Sequence, residues 1–225
     1  MMIPHPVLAA IAAHTQAVEF GAVQCHLELC PKCGARPGSF KLHATRQRQF
    51  LVIVDRLIQR VVSALTRWKC PCCGKTFTLY PEFALPSKRY VLQDICRLGR
   101  QYVSEDGVSY GRGVQVDRMA VCYDAGGQGR PIDDRVLRGS TLHRWVGFFG
   151  ALKETLQQAW RLIRAKSPAC DVFRRSHIMP CWKYRSEHRR EVLQTCGRLL
   201  ETDRAYQILF DVSVFTHLAT LCSWR

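Results

Sequence analysis

The sequence is poor in acidic residues. Its 225 residues include 18 Asp and Glu against 33 Lys and Arg, which gives a formal net charge of +15. A field of this sign attracts polyanions, most often nucleic acid, or an anionic membrane surface. The few carboxylates are scattered, and no spacing among them predicts the convergence that two-metal nuclease chemistry needs. The composition therefore favours a nucleic-acid-binding protein over a metal-dependent enzyme.

Long apolar segments are also missing. Runs such as Phe50 to Val54 have the length of a strand, whereas a membrane-spanning helix needs about 20 apolar residues. The N-terminus lacks the basic stretch and long apolar stretch of a secretory signal. We therefore expect no membrane association and a cytoplasmic location. In that reducing compartment the 12 cysteines are expected to bind metal rather than to form disulfides.

Two common patterns of catalytic centres are absent. The chain contains neither an HExxH motif nor a P-loop motif. The glycine-rich stretch Gly126 to Gly129 is not followed by Lys and Ser or Thr, and Pro131 interrupts a helix start, so we interpret it as a connector. Catalysis is the less favoured interpretation. The catalytic alternative that remains is a cryptic metal-dependent nuclease that uses Asp133 or Asp134.

The sequence does contain a repeated cysteine motif. Cys30-Pro31-Lys32-Cys33-Gly34 and Cys70-Pro71-Cys72-Cys73-Gly74 share the pattern CPxCG. The Pro starts a tight turn, and the Gly accepts a backbone conformation that side chains resist, so that backbone N–H groups point at the sulfurs. Two such turns supply four thiolates, which complete a tetrahedral zinc shell with no open position. The sequence therefore predicts one structural Zn²⁺, held by Cys30, Cys33, Cys70 and Cys73.

Other metal ligands remain open at this stage. Cys72 lies inside the second motif and could replace Cys73, although the CxxCG spacing favours Cys73. The pair Cys25-His26 and the residue His43 could act as minor ligands, but a surface role is favoured for them. A second metal site has less support because the spacing of its candidates is irregular: Cys170, His177, Cys181 and His188.

Between the two motifs the pattern is that of β-strands. Polar and apolar residues alternate from Phe40 to Ala44, and Phe50 to Val54 is a short apolar run. Leu65 to Lys69 leads directly into the second motif, and Phe77 to Tyr80 leaves it. These segments predict a zinc ribbon with an enlarged antiparallel sheet between its two halves.

The pattern becomes helical after Pro86. Ser87 can cap a helix that ends near Ser104, and Ser186 can cap another one. A final short helix is expected over about Asp203 to Phe210. The predicted fold class is α+β, with an N-terminal zinc ribbon and small antiparallel sheet followed by an α-helical region that contains a helix-turn-helix. The expected segments are an N-terminal segment (1–24), the ribbon (25–85), the helix-turn-helix-like region (86–166) and a basic helical region (167–225).

The helix-turn-helix is predicted in the middle of the chain. A short helix around Asp134 to Leu137 and a turn precede a stronger helix that begins at Ser140. In such a motif the second helix enters the major groove, and its first residues meet the base edges. We expect Ser140 and Thr141 to contact phosphates, and His143 and Arg144 to reach bases. An amphipathic helix that packs on a neighbour fits the pattern equally well, but the net charge favours DNA.

The chain after Phe173 is strongly basic. Trp182 and Tyr184 lie among its cations, and such aromatics can stack on bases while the cations meet phosphates. A solvated surface is the alternative interpretation. The candidate nucleic-acid-binding residues of this segment are Arg174, Arg175, Lys183, Arg185, Arg189 and Arg190.

Several stretches resemble proteins of mobile elements. Cys30 to Gly34, Arg67 to Thr78 and Leu85 to Tyr90 resemble the N-terminal zinc-binding region of bacterial insertion-sequence transposases, and of a related uncharacterised mobile-element family. Ser140 to Trp145 resembles the helix-turn-helix of such proteins. The resemblance covers roughly residues 28–150 and implies binding to DNA, at the ends of an element. The chain lacks the recognisable acidic catalytic domain of full transposases, so an accessory, regulatory or remnant protein fits better.

The leading hypothesis is therefore a zinc-containing DNA-binding protein of a mobile genetic element, without catalytic activity of its own. One alternative is an interaction module, in which the ribbon docks a partner recombinase, transposase or transcription complex. Another is RNA binding, because ribbons and basic aromatic segments also bind single strands.

Overall fold

The computed structural model describes residues 5–55, 57–105, 109–114, 121–123, 129–131, 137–175 and 185–221. The chain forms two compact units. The first contains one helix and two small sheets: α1 (Pro6–Glu19), β1 (Lys41–Val54), β2 (Leu57–Lys69), β3 (Thr76–Leu79), β4 (Val121–Tyr123) and β5 (Gly129–Pro131). The second consists mainly of helices: α2 (Leu92–Ser104), α3 (Gly139–Gly150), α4 (Lys153–Lys166), α5 (Val172–Arg175), α6 (Glu187–Phe210) and α7 (Val214–Leu221). This arrangement confirms the mixed α+β class and the small antiparallel sheet.

A long hairpin forms the main sheet of the first unit. β1 and β2 pair antiparallel from Lys41 opposite Lys69 to Val54 opposite Leu57, and β3 pairs with the other edge of β2. The separate strands predicted over Phe40–Ala44 and Phe50–Val54 are therefore parts of one strand. The polar residues between them stay extended because each one pairs with a residue of β2.

Two apolar clusters lie on opposite faces of this sheet. Side chains paired across antiparallel strands share a face, and successive side chains alternate between faces. Leu65 belongs to the cluster beneath α1, whereas its neighbour Thr66 pairs with Leu79 on the other face. The cluster beneath α1 contains Val7, Ile11, Phe50, Val52, Leu65, Phe83, Ala84 and Val91. The cluster on the opposite face, next to the cysteine turns, contains Cys30, Phe40, Trp68, Cys70, Phe77 and Leu79.

The helix α2 begins later than predicted. Ser87 does not cap it, because Ser87 has a positive φ of 61° within a turn and the helix begins at Leu92. The intervening residues are held extended against β1, where the N–H of Leu51 donates to the Arg89 carbonyl oxygen at 3.0 Å and the N–H of Val91 donates to Leu51 at 3.1 Å. The predicted end near Ser104 is confirmed.

The helical unit is built around α6. Ser186 caps this helix as predicted, since its Oγ accepts the N–H of Arg189 at 3.3 Å. The short helix predicted over Asp203–Phe210 is instead the end of the same 24-residue helix. No Gly or Pro lies between Leu200 and Asp203 to interrupt it. The helix α3 packs closely on α6, where Gly150 leaves room for Val192.

Two predictions about organisation are not settled by these elements. The first helix expected for the helix-turn-helix, around Asp134 to Leu137, lies outside the described residues except at its last position. The helix-turn-helix and the four-segment division of the chain therefore stay predictions. None of the helices in the described ranges is long and apolar enough to cross a membrane.

Candidate functional site

The two CPxCG motifs form matching turns. In the first, the N–H of Cys30 donates to the carbonyl oxygen five residues later at 2.9 Å, and the N–H of Gly34 donates to the Cys30 carbonyl at 2.8 Å. Cys70 and Gly74 make the equivalent bonds at 3.0 and 2.9 Å. Gly34 and Gly74 have φ values of 71° and 69°, in the left-handed region that glycine adopts without steric cost. The repeat in sequence is therefore a repeat in backbone geometry.

The turns bring four sulfurs together. The Sγ atoms of Cys30 and Cys73 are 3.9 Å apart, those of Cys33 and Cys70 are 4.0 Å apart, and all four lie within 4.8 Å of one another. Disulfide sulfurs are about 2.05 Å apart, so these are not bonded pairs. Cys72 is exposed and does not belong to the group. The four predicted cysteines therefore form a cluster that could hold a metal ion.

Ionisation of the sulfurs is unequal. Burial disfavours the thiolate of Cys70, but the backbone N–H groups of Cys73 and Cys72 lower its pKa to about 7. For Cys33, the backbone N–H of Ala35 favours the thiolate, but desolvation and hydrogen bonds with the neighbouring thiols raise the pKa to about 12. Negative charge on one sulfur opposes ionisation of the next at these distances. Four thiolates therefore require a cation among them.

The sheet holds the two turns in place. β2 ends at Lys69, immediately before Cys70, and β3 begins soon after the second turn. Beneath the turns, the rings of Phe40 and Phe77 meet edge to face with centroids 5.1 Å apart. The buried Trp68 indole donates to Thr66 Oγ1 at 3.0 Å, so its N–H is satisfied without water. The position of the sulfurs thus depends on a small apolar cluster as well as on the turns.

The other candidate metal ligands do not form a comparable group. Cys25 is half-buried against the cluster, whereas His26 is exposed. His43 is exposed at the β-bulge between Leu42 and Ala44. Within the described parts of the chain, the four-cysteine group is the one set of three or more potential ligands close enough to share an ion. Several candidates lie outside those parts: Asp133, Asp134, His177 and Cys181.

The helix α3 carries the predicted nucleic-acid-binding residues in the middle of the chain. Ser140, His143 and Arg144 are exposed, and Thr141 is half-buried. The Arg144 side chain is exposed and folds back, with its Nε donating to the Ser140 carbonyl oxygen at 3.4 Å. The opposite face of the helix is buried and contains Leu142, Trp145, Val146 and Phe149. α3 therefore packs on a neighbour and also presents polar residues to solvent.

The basic C-terminal residues are divided between α5 and α6. Arg174 is exposed on α5, Arg185 and Arg189 are half-buried at the start of α6, and Arg190 is exposed there. Arg175 lies on α5, but its side chain is not described, and Lys183 lies outside the described residues. No described contact joins Arg174 to the arginines of α6.

Three of the predicted nucleic-acid-binding residues, His143, Arg185 and Arg189, come together around Tyr110. Its ring stacks on Tyr102 with centroids 4.2 Å apart and an angle of 18°. The His143 ring meets Tyr110 edge-on at 5.0 Å, and the guanidinium carbons of Arg185 and Arg189 lie 5.8 and 5.3 Å from the Tyr110 centroid. Arg185 also donates to the Tyr102 hydroxyl at 3.0 Å. We call these five residues the tyrosine–arginine cluster.

The two tyrosines were not predicted as site residues. Tyr102 fits the apolar face of α2, and Tyr110 stands among the glycines that follow it, which indicate a loop. The available signal was the position of a tyrosine between two such glycines, because an aromatic side chain in a loop needs a packing partner. Nothing in the sequence indicated that the partners would come from α3 and α6.

Comparison with known proteins gives one match. Residues 30–112 match a family model described as "Domain of unknown function (DUF6431)". The matched region includes both cysteine turns, the three-stranded sheet, α2 and Tyr110, and it covers less than half of the chain. No curated protein and no solved structure matches. The similarity thus covers the four-cysteine cluster without assigning a function to it.

Proposed function

We propose that the chain is a zinc-containing DNA-binding protein in which the metal is structural. The observation that carries this proposal is the meeting of basic residues from separate parts of the chain. His143 of α3 and Arg185 and Arg189 of the α6 region approach the same tyrosine ring. Among the described residues no carboxylate pairs with either arginine, and the chain carries a net charge of +15. Unpaired cations of this kind are suited to phosphates.

Zinc is the proposed ion because of the geometry of the sulfurs. Zinc–thiolate bonds of about 2.3 Å in a tetrahedron place the sulfurs roughly 3.8 Å apart. The distances of 3.9 Å between Cys30 and Cys73 and 4.0 Å between Cys33 and Cys70 are close to this value. Four protein thiolates leave no position for water or substrate, so the ion would stabilise the fold and take no part in catalysis.

The resemblance to the zinc-binding regions of insertion-sequence transposases extends the proposal. It suggests a protein of a mobile element that acts beside a recombinase or transposase and binds the DNA that this partner uses. The exposed Ser140, His143 and Arg144 on α3 support DNA as the ligand, because a helix that presents such residues can enter the major groove.

The test combines metal analysis with a binding selection on random DNA and RNA. We expect one zinc per chain, no visible iron–thiolate absorption, and selection of duplex DNA. Affinity should fall steeply with salt, with a slope of log K against log salt of about −0.9 for each phosphate neutralised. Selection of RNA alone, or binding that does not change with salt, would contradict the proposal.

Matched substitutions refine this test. Replacing the exposed Arg144 with Gln should weaken DNA binding and reduce the sequence preference, as loss of a base contact does. The control is Arg161→Gln, which removes the same charge from an exposed position of α4. Equal losses in the two variants would indicate a general effect of net charge and would remove α3 from the interface.

A further inference from the structure

The tyrosine–arginine cluster contains two buried polar atoms without partners. The hydroxyl of Tyr110 and Nη2 of Arg189 are shielded from solvent, and neither has a hydrogen-bond partner among the described residues. An unsatisfied buried polar group destabilises the folded state, so native proteins contain few of them. Two such donors, the hydroxyl of Tyr110 and a guanidinium that packs on the Tyr110 ring, point to an acceptor that the described residues do not supply.

The charge of the cluster defines the acceptor. Arg185 and Arg189 both lie near Tyr110, and the described residues place no carboxylate beside them. Burial lowers the pKa of Arg189, although Tyr102 and Cys196 favour its charged form. The Tyr102 hydroxyl already accepts from Arg185 at 3.0 Å and holds that guanidinium over the site. An anion with several acceptor oxygens matches this set of donors.

A backbone phosphodiester fits this set of donors. Its two non-bridging oxygens can accept from the fork of N–H groups that a guanidinium presents, and a further lone pair on one of them remains for the tyrosine hydroxyl. The exposed Arg144 lies on the same helix as His143 and would meet a polymer that extends beyond a single anion.

We propose that Tyr110, His143, Arg185 and Arg189 bind one phosphate group of a nucleic-acid backbone. This inference rests on the proposed function and deepens it by locating one contact. His143 is exposed and its ring lies against Tyr110, so in this proposal the His143 side chain moves to admit the phosphate to the two shielded donors. The phosphate then accepts from Tyr110 and Arg189 while Arg185 remains anchored on Tyr102.

The decisive variant is Tyr110→Phe, tested in the metal-loaded full chain. It removes one oxygen and keeps the ring that stacks on Tyr102. The melting temperature is measured in inorganic phosphate and in chloride at equal ionic strength, which separates binding from screening. Without phosphate the variant should be as stable as the parent or more stable, because an unsatisfied hydroxyl is gone. Its affinity for phosphate should fall roughly tenfold.

Arg185→Gln and the control Arg161→Gln complete the experiment. Arg185→Gln should weaken phosphate binding and reduce the salt slope of DNA binding by about one, whereas Arg161→Gln should match the parent in phosphate affinity. Equal stabilisation of the parent and Tyr110→Phe by phosphate would overturn the proposed contact. So would DNA binding with an unchanged slope in Arg185→Gln, and this result would leave the proposed function intact. Phosphate binding that depends on Tyr110, without DNA binding, would overturn the proposed function and the assignment of the phosphate to nucleic acid.

Discussion

The two compact units are stabilised in different ways. In the first, the end of the sheet beside the cysteine turns has a small apolar cluster, and two of its buried members, Cys30 and Cys70, are proposed zinc ligands. In the second, large apolar side chains such as Phe149 and Phe215 pack between helices, and its described residues include no group of three or more potential metal ligands. The folded structure should therefore depend on a bound ion in the first unit and on close packing of apolar side chains in the second. Each of the following predictions tests that difference.

The largest effect is expected from Cys70→Ser. Structural zinc contributes on the order of 10 kcal/mol to the folding of small domains, and three remaining thiolates bind it much more weakly. The variant should lose its metal, and amides around the two turns and β3 should exchange rapidly with solvent. Amides of α3 and α6 should stay protected. Hydrogen exchange and metal content, measured on the same sample, provide the check.

Cys72→Ser is the matched control for that experiment. It makes the same chemical change within the same turn, at an exposed residue outside the four-cysteine group. It should keep both its metal and its protected amides. If Cys72→Ser lost the metal while Cys73→Ser kept it, the ligand set described above would be wrong.

The helical unit should be sensitive to packing at Gly150. A Cβ added there would lie 2.5 Å from Val192 Cγ1 and 2.6 Å from the Val192 carbonyl oxygen, so Gly150→Ala forces α3 and α6 apart. We expect a loss of about 1–3 kcal/mol in the free energy of unfolding, without loss of metal. Chemical denaturation monitored by circular dichroism measures the change. Gly147→Ala on the same helix meets nothing within 4 Å and should be neutral or stabilising by up to about 1 kcal/mol.

A pair of similar hydrogen bonds permits a direct comparison of the units. Trp68 donates to Thr66 at 3.0 Å in the first unit, and Trp160 donates to Thr202 at 2.9 Å in the second. Replacing either threonine with Val removes the acceptor. Trp68 is buried whereas Trp160 is half-buried, so the cost should be about 1–3 kcal/mol at Thr66 and about 1 kcal/mol at Thr202. Equal costs in denaturant titrations would contradict this difference in solvation.

A smaller effect of pH is expected in the first unit. Burial lowers the pKa of His14, although its hydrogen bond with the Ala64 carbonyl oxygen at 3.0 Å favours the protonated form. A lowered folded pKa means that stability is fully present above the unfolded value of 6.5 and is lost as pH falls below it. The protection factors of α1 amides, which correct for the intrinsic slowing of exchange at lower pH, should therefore decrease between about pH 7.5 and 5.5. In His14→Gln this decrease should be absent.

The smallest effect has the opposite sign and lies in the second unit. Burial raises the pKa of Asp203, despite hydrogen bonds from Ser213 at 2.6 Å and from the Val214 N–H at 2.9 Å. Its contribution is fully present below the unfolded value of 3.8 and is lost as pH rises through the raised folded pKa. The stability of the parent relative to Asp203→Asn should thus decline from pH 3.8 upward, as measured by urea denaturation. If the stability of the parent relative to Asp203→Asn instead increased with pH, burial would not be the cause that raises the pKa of Asp203.

The four-cysteine cluster was predictable from sequence because its information is local. Each CPxCG motif determines its own turn. Because the two cysteines are equally spaced in both motifs, Cys30 and Cys70 occupy equivalent positions, as do Cys33 and Cys73. Even the choice of Cys73 over Cys72 followed from the spacing before Gly74.

The tyrosine–arginine cluster was only partly predictable because its members are far apart in sequence. His143, Arg185 and Arg189 were candidates as basic residues, but their approach to Tyr110 depends on how α3 packs on α6. The late start of α2 has a similar cause, since residues 89–91 pair with β1 and this tertiary contact overrides the capping preference of Ser87.

The outer edge of β1 has a consequence for the behaviour of the protein at high concentration. On the side away from β2, the 14-residue strand β1 forms a bridge with Tyr90 at Leu51, and no strand among the described residues pairs with its first part, Lys41 to Gln49. Such an edge is a template onto which another chain can add a strand, a common first step of aggregation. Lys41 and Arg46 are exposed along it, and the bulge at His43 interrupts its regularity. A second copy approaching this edge would meet like charge and an irregular backbone, so the positive surplus also discourages the chains from adding to one another.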